Sequence, residues 1–251
     1  YHRPDSVDAA VGLLAEWGDD ARVIAGGHSL IPVMKQRITD ISHLVDLAGV
    51  DSMKGISVDG GTVTIGAMTT QHELIASDLL ASKLQIIRET SLLIADPQIR
   101  YLGTIGGNVA NGDPGNDMPA LMQCLNASYR VAGPNGERDI AARDFYEAAY
   151  FTALAPEELV TAVSIPVPPA GHGFAYEKLK RKVGDYATAA AAVVLTMSGG
   201  SVSSCSIALT NVGDTPLYAA DACGILTGST LDADTVNRAV AAAEAITRPA
   251  S

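Results

Sequence analysis

Residues 103–117 read Gly-Thr-Ile-Gly-Gly-Asn-Val-Ala-Asn-Gly-Asp-Pro-Gly-Asn-Asp, with five glycines, three asparagines and two aspartates in fifteen residues. Such a run is too polar and too flexible for the interior of a helix or strand, and it is long for a plain connection. A second, shorter glycine pair lies in Ala25-Gly26-Gly27-His28-Ser29. There an apolar segment, Arg22 to Ala25, reads as a short buried strand, and Leu30 to Arg37 reads as one or two turns of helix. A strand that ends in Gly-Gly and runs into a helix gathers successive backbone N–H groups at a helix N-terminus. That geometry favours an anion, and the Ser29 hydroxyl adds a donor. The same pattern also fits a tight turn that needs positive φ. In the longer run, Thr104-Ile105-Gly106-Gly107-Asn108 again allows close backbone approach, with a hydroxyl from Thr104, although a long surface loop would look similar. Two such turns can clamp a pyrophosphate from both sides, which points to a phosphate-bearing cofactor. Neither is the G-x-G-x-x-G fingerprint of a Rossmann domain.

Bulk properties narrow the classes. A chain of 251 residues suggests one large domain or two modest ones. Its net charge of −11 and pI near 4.7 argue against nucleic acid and against a free-standing binder of anionic membranes. No apolar run reaches the roughly 18 residues of a membrane span. Residues 186–197 come closest and read as a buried strand. No signal peptide is visible, and an opening on Tyr1 rather than Met leaves room for residues in front. Cys124, Cys205 and Cys223 are scattered and form no C-x-x-C pair, so neither a disulfide framework nor a zinc or iron–sulfur site is encoded. A reducing, cytosolic compartment is the simple reading. None of the five histidines has metal-ligand spacing. Redox chemistry, if present, has to come from an organic cofactor or another chain.

The pattern along the chain is α+β. Residues 5–17 carry helical periodicity, with Asp5 and Ser6 as candidate caps. Residues 44–47 read as a strand. Residues 56–67 read as a hairpin across Asp59-Gly60-Gly61. Thr70 and Glu73 form a capping box. An amphipathic helix is expected over 81–95, and a further helix over 117–126. Asn135-Gly136 turns a hairpin between 129–132 and 138–141. A strand over 158–165 is closed by Pro166, Pro168 and Pro169, which marks the expected boundary between domains 1–169 and 170–251. The first of these divides at about residue 52. Beyond the prolines, strands are expected over 173–180, 187–198 and 202–210, then helices near 216–226 and 232–246. Lys178, Lys180, Arg181 and Lys182 form a basic cluster in an acidic chain. They suit an anionic cofactor or an acidic partner, although by themselves they read first as a solvated edge whose lysines discourage strand pairing. Tyr186 could lie over a planar ring or belong to the core.

The segments AGGHSLIPVMKQR, IGAMTTQHEL, ADPQIRYLGTIGGNVANGDPGNDMPALMQC and YEKLKRKVGDYATAAAAVVL resemble the FAD-binding subunits of molybdenum hydroxylases over nearly the whole chain. AGGHS and TIGGN are family-wide, and the longer runs point to the branch that oxidises carbon monoxide. The resemblance implies a two-subdomain FAD domain of the vanillyl-alcohol-oxidase/MurB (PCMH) type, followed by a small domain of three antiparallel strands packed by helices. It implies that Ala25, Gly26, Gly27, His28 and Ser29 form the first pyrophosphate loop, and Thr104, Ile105, Gly106, Gly107 and Asn108 the second. Asp117 then matches an acidic residue near the ribityl or pyrophosphate, Val160 a strand residue near the flavin, Lys178 a flavin-contacting lysine, and Tyr186 a tyrosine beside the isoalloxazine. Family members begin several residues earlier and run on into a further C-terminal helix, so both ends look incomplete.

By the same resemblance, a large partner subunit carries a molybdenum–copper cofactor and a small one carries two [2Fe–2S] clusters, in a dimer of heterotrimers. Electrons pass through FAD to a quinone, with the complex cytoplasmic and associated peripherally with the membrane. Three other readings stand beside this one. The chain could serve a nicotinate, quinoline or aldehyde hydroxylase. It could be a stand-alone FAD oxidase, although the residues after the proline cluster leave little room for a substrate domain. It could be a non-catalytic nucleotide-binding module.

Overall fold

A computed structural model describes residues 1–249. The N-terminal helix Val7–Trp17 is capped by Ser6, whose hydroxyl accepts from the Ala9 N–H, and it buries Ala10, Val11 and Leu14. That face packs on a parallel pair of strands, Ala21–Ile24 and His43–Asp46, in register from Ala21 opposite His43 to Ile24 opposite Asp46. The first glycine pair leaves the end of the first strand and feeds the short helix Leu30–Lys35.

A five-stranded antiparallel sheet follows, built from Ile56–Asp59, Thr62–Gly66, Leu159–Pro166, Ser128–Gly133 and Gly136–Ala141 in that spatial order. The strand that comes last in sequence sits in the middle, and its side chains from Leu159 to Thr161 are all buried. The capping box at Thr70 and Glu73 is present in both directions and opens the helix Gln71–Ala76. The hairpin expected at Asn135-Gly136 turns one residue earlier, on Pro134-Asn135, because Gly133 pairs with Gly136. A small hairpin, Tyr146–Ala148 with Phe151–Thr152, has no clear sequence signal.

Two expectations need correction. Residues 81–95 are not one helix. Ser77 caps the helix Asp78–Lys83, and the chain leaves helical geometry at Leu84 (φ −144°, ψ 54°) before Gln85–Leu93 resumes. Leu84 is fully buried, so the break seats its side chain in the core. The glycine-rich run 103–117 is not loop throughout. It contains the helix Ile105–Ala110, whose N-cap Thr104 accepts from the Gly107 N–H.

The chain crosses from the first sheet to the second between Pro166 and Gly173. The second sheet runs Gly173–Leu179, Ala189–Ser198, Ser201–Thr210 and the short Leu217–Tyr218, one strand more than expected. The fourth strand occupies the start of the expected helix 216–226, which forms as Ala220–Leu226. Ala233–Ala245 follows, capped by Asp232. One face of this sheet meets the helix Asp117–Cys124, and Ala190, Ala192 and Ala208 are buried there, small enough for close approach. The other face, with Ile207 and Val193, packs on the two C-terminal helices. Among the described residues no helix is long and apolar enough to cross a membrane.

Candidate cofactor-binding site

The two glycine turns meet face to face. A Cβ on Gly26 would lie 2.3 Å from the Leu102 carbonyl oxygen and 2.8 Å from the Gly103 Cα. A Cβ on Gly107 would lie 3.6 Å from the Ala25 Cβ. The first turn is therefore seated on the chain that leads into the second. Gly106 is buried against the end of a sheet strand, where a Cβ would lie 2.5 Å from the Ala67 Cβ and 2.7 Å from the Ala67 carbonyl oxygen. This contact explains why glycine, a poor helix former, stands inside the helix Ile105–Ala110.

The turns play unequal parts. In the first, Gly27 has φ +75°, and no backbone N–H from Gly26 to Leu30 finds an acceptor among the described residues. The carbonyls of Gly27 and Ser29 face the other way and accept from Ile31 and Val33 inside the helix. Five successive amides are thus free to receive an anion. In the second turn the amides are used by the protein: Ile105 donates to the Thr69 carbonyl, Gly106 to the Ala67 carbonyl and Gly107 to the Thr104 hydroxyl. Thr104 is a buried cap, and the second turn presents the exposed, side-chain-free surface of Gly107.

Behind the turns lies a buried polar cluster. The Asn108 side chain accepts from the Met118 N–H, and the Asn108 carbonyl accepts from the Asn116 amide at 2.8 Å. Asp117, first residue of the next helix, accepts from the Lys178 ammonium at 2.8 Å and from the Tyr176 hydroxyl at 2.6 Å. The side chains of Lys178 and Asp117 are only 1% and 5% exposed. Burial pushes the Asp117 carboxyl above the usual aspartate range, against the pull of Lys178. Burial and the adjacent carboxylate raise the Tyr176 phenol. Lys178 and Lys180 also donate to the Leu93 carbonyl, whereas Arg181 and Lys182 are exposed. The basic cluster therefore splits: the Lys178 side chain is sequestered, Lys180 is half-buried just past the strand's end, and Arg181 and Lys182 lie in the exposed segment beyond it.

Tyr186 joins the site from the second domain. Its ring packs against Gly115, where an added Cβ would lie 3.2 Å from the ring Cδ1. Burial and the Asp113 charge raise its phenol. His28 is exposed, and Val160 is buried in the core opposite Val131. Its neighbour Thr161 accepts from the Ala67 N–H, one residue-step from Gly106. Asn116 and Tyr176 escape sequence reading. The Asn-Asp pair at a helix start hints at Asn116, and Tyr176 meets Asp117 across 59 positions.

Free amides in one turn, a glycine surface on the other and an exposed tyrosine beside them make an anion site with an aromatic neighbour, as a flavin-binding protein requires. Residues 1–168 match the family described as the FAD binding domain in molybdopterin dehydrogenase. Residues 174–251 match the CO dehydrogenase flavoprotein C-terminal domain. The chain belongs to this family of FAD-binding flavoproteins. It is 66% identical over 251 residues to the carbon monoxide dehydrogenase medium chain of Afipia carboxidovorans, covering all of this chain and 87% of that one. A crystal structure of Cu,Mo-CO dehydrogenase superposes with a TM-score of 0.99 at 66% identity, covering 100% of this chain and 88% of that chain. Quinoline 2-oxidoreductase from Pseudomonas putida 86 superposes with a TM-score of 0.94 at 34% identity, covering 100% and 87%. The residues present fit FAD, because a pyrophosphate needs the unpartnered amide run that residues 26–30 supply.

Proposed function

We propose that this chain is the FAD-carrying electron-transfer subunit of a carbon-monoxide-oxidising molybdenum hydroxylase. The run of five free amides at Gly26–Leu30, closed over by the second turn, carries the cofactor reading. Ala25, Gly26, Gly27, His28 and Ser29 hold the pyrophosphate. Thr104, Ile105, Gly106, Gly107 and Asn108 form the opposing wall. Asp117, Lys178 and Val160 support that wall from behind, and Tyr186 covers the ring system. FAD, when bound, supplies chemistry that couples one-electron donors to a two-electron acceptor.

The partners in this reading are a large subunit with the molybdenum–copper cofactor and a small subunit with two [2Fe–2S] clusters, assembled as a dimer of heterotrimers. The overall reaction, CO + H₂O → CO₂ + 2e⁻ + 2H⁺, belongs to the large subunit, and a quinone takes the electrons. We place the complex in the cytoplasm, touching the membrane only peripherally. Carbon monoxide is favoured over a nitrogen heterocycle because identity stands at 66% to the carbon monoxide enzyme and 34% to the quinoline enzyme. Two domains, 1–169 and 170–251, share the work: the first binds and the second covers.

The test has two arms. The chain alone should bind one FAD that dithionite bleaches and air restores, and carbon monoxide should leave it oxidised. With the large and small subunits added, carbon monoxide should bleach the flavin. A chain that takes up no flavin, or that bleaches with carbon monoxide by itself, contradicts the reading.

A further inference from the structure

The helix Asp117–Cys124 is buried at every one of its eight residues, and the second domain grips it at both ends. At the C-terminal end, the Cys124 thiol donates to the Ser206 carbonyl and the Ser206 hydroxyl donates back to the Cys124 carbonyl at 2.6 Å. At the N-terminal end, Tyr176 and Lys178 project from one face of the first strand of the second sheet onto the two oxygens of Asp117. The N-terminal grip continues into the second glycine turn, and the C-terminal grip does not. Asn116 donates to the Asn108 carbonyl, and Asn108 in turn caps the helix through the Met118 N–H. The buried chain of bonds therefore runs Tyr176 and Lys178, Asp117, Asn116 and Met118, Asn108.

A buried ion pair is weak evidence for stability, since a well-packed apolar replacement often does as well. Its strength is geometric: each partner has one satisfied arrangement, and moving Asn108 would leave buried polar groups without partners. Asn116 and Tyr176 are 6% and 7% exposed, so both act from the interior.

We propose that Asn116 and Tyr176 are positioning residues that let the second domain set the stance of the second glycine turn, and with it the affinity for FAD. The inference rests on the FAD reading above. It assigns the second domain a task beyond covering the flavin: it holds the far wall of the pyrophosphate site in place through a helix it clasps.

The experiment uses the full chain and FAD itself. Tyr176→Phe keeps the ring and removes only the hydroxyl. Asn116→Ala removes the link to Asn108. Ser206→Ala loosens the same helix at the end remote from the turn and serves as the structural control. Affinity is read by flavin fluorescence quenching, fold by urea unfolding, and placement by the bound flavin's visible spectrum. Both Tyr176→Phe and Asn116→Ala should weaken FAD about tenfold or more and shift the spectrum, with Ser206→Ala within about twofold of the parent at a comparable loss of stability. Should one variant fail to fold, the other decides alone. Parent-like affinity in Tyr176→Phe or Asn116→Ala overturns the proposal, as does an equal loss in Ser206→Ala, which would reduce the effect to general destabilisation. A parent that binds no FAD overturns this proposal together with the function assignment, and parent binding with indifferent variants overturns this proposal alone.

Discussion

Replacing Gly26 by alanine probes the contact that holds the two turns together. The added Cβ would meet the Leu102 carbonyl oxygen at 2.3 Å and the Leu102 carbonyl carbon and Gly103 Cα at 2.8 Å. All three are backbone atoms, so no rotamer change relieves the clash. Ordinary contact begins at 3.4 Å, so the turns have to part by roughly 1 Å in an interior packed as tightly as a crystal. Overpacking of this kind costs about 1–3 kcal/mol. Gly26 does not have a left-handed φ, so alanine also reduces unfolded-state entropy and returns about 0.4–1 kcal/mol. If the parted turns have to be drawn together again to bind FAD, the same 1–3 kcal/mol reappears as a loss of about 5- to 150-fold in affinity. The assay is FAD titration of the flavin-free chain by fluorescence, paired with urea unfolding. Gly12→Ala is the control, because a Cβ there meets nothing within 4 Å, and in mid-helix it should stabilise by up to about 1 kcal/mol. Unchanged stability and unchanged FAD affinity in Gly26→Ala would refute the idea that the first turn is seated on the second.

Three further outcomes follow from the same geometry. Lys178→Met leaves the Asp117 carboxylate buried without its cation, and should cost about 3–5 kcal/mol in urea unfolding; a loss below about 1 kcal/mol would mean that water reaches the pair. Tyr186→Ala should retain most FAD binding, since aromatic contacts add about 0.5–1.5 kcal/mol beyond area, while it alters flavin absorbance and acceptor choice in the assembled complex; unchanged values in every respect would make Tyr186 an ordinary surface residue. The Arg138 guanidinium beside Glu158 holds that carboxyl below the usual glutamate range. The native state therefore sheds this proton more readily than the unfolded chain does. The resulting stability is present above the ordinary value of about 4.3 and is lost as pH falls through the folded value. Urea unfolding of the parent and Arg138→Gln should converge across that acid window, and a constant difference would contradict it.

Local signals carried much of the fold. The apolar spacing of Ala10, Val11 and Leu14, the capping box at Thr70 and Glu73, and the Gly60-Gly61 turn each act within a few residues, so they read directly from sequence. What escaped was set by distant contacts. The break at Leu84 depends on where the core accepts a leucine. The helix Ile105–Ala110 forms despite two glycines because Gly106 is held against Ala67, about forty residues earlier in the chain. The glycine turns were legible as a candidate phosphate site from their composition. Their division of labour was not, because the carbonyls of Ala67 and Thr69 that occupy the second turn's amides carry no sequence mark. Lys178 and Asp117 were named individually by the family likeness, yet their pairing across 61 positions, with Tyr176 completing it, needed the structure.

Residue-resolved amide hydrogen exchange, with and without FAD, tests the central claim most directly. The N–H groups of residues 26–30 lack protein acceptors, so they should exchange quickly in the flavin-free chain and slow by about tenfold or more when one equivalent of FAD binds. The Ile105 and Gly106 amides, already bonded within the protein, should be protected in both states. Stoichiometric FAD binding that leaves residues 26–30 exchanging at their original rate would contradict the account.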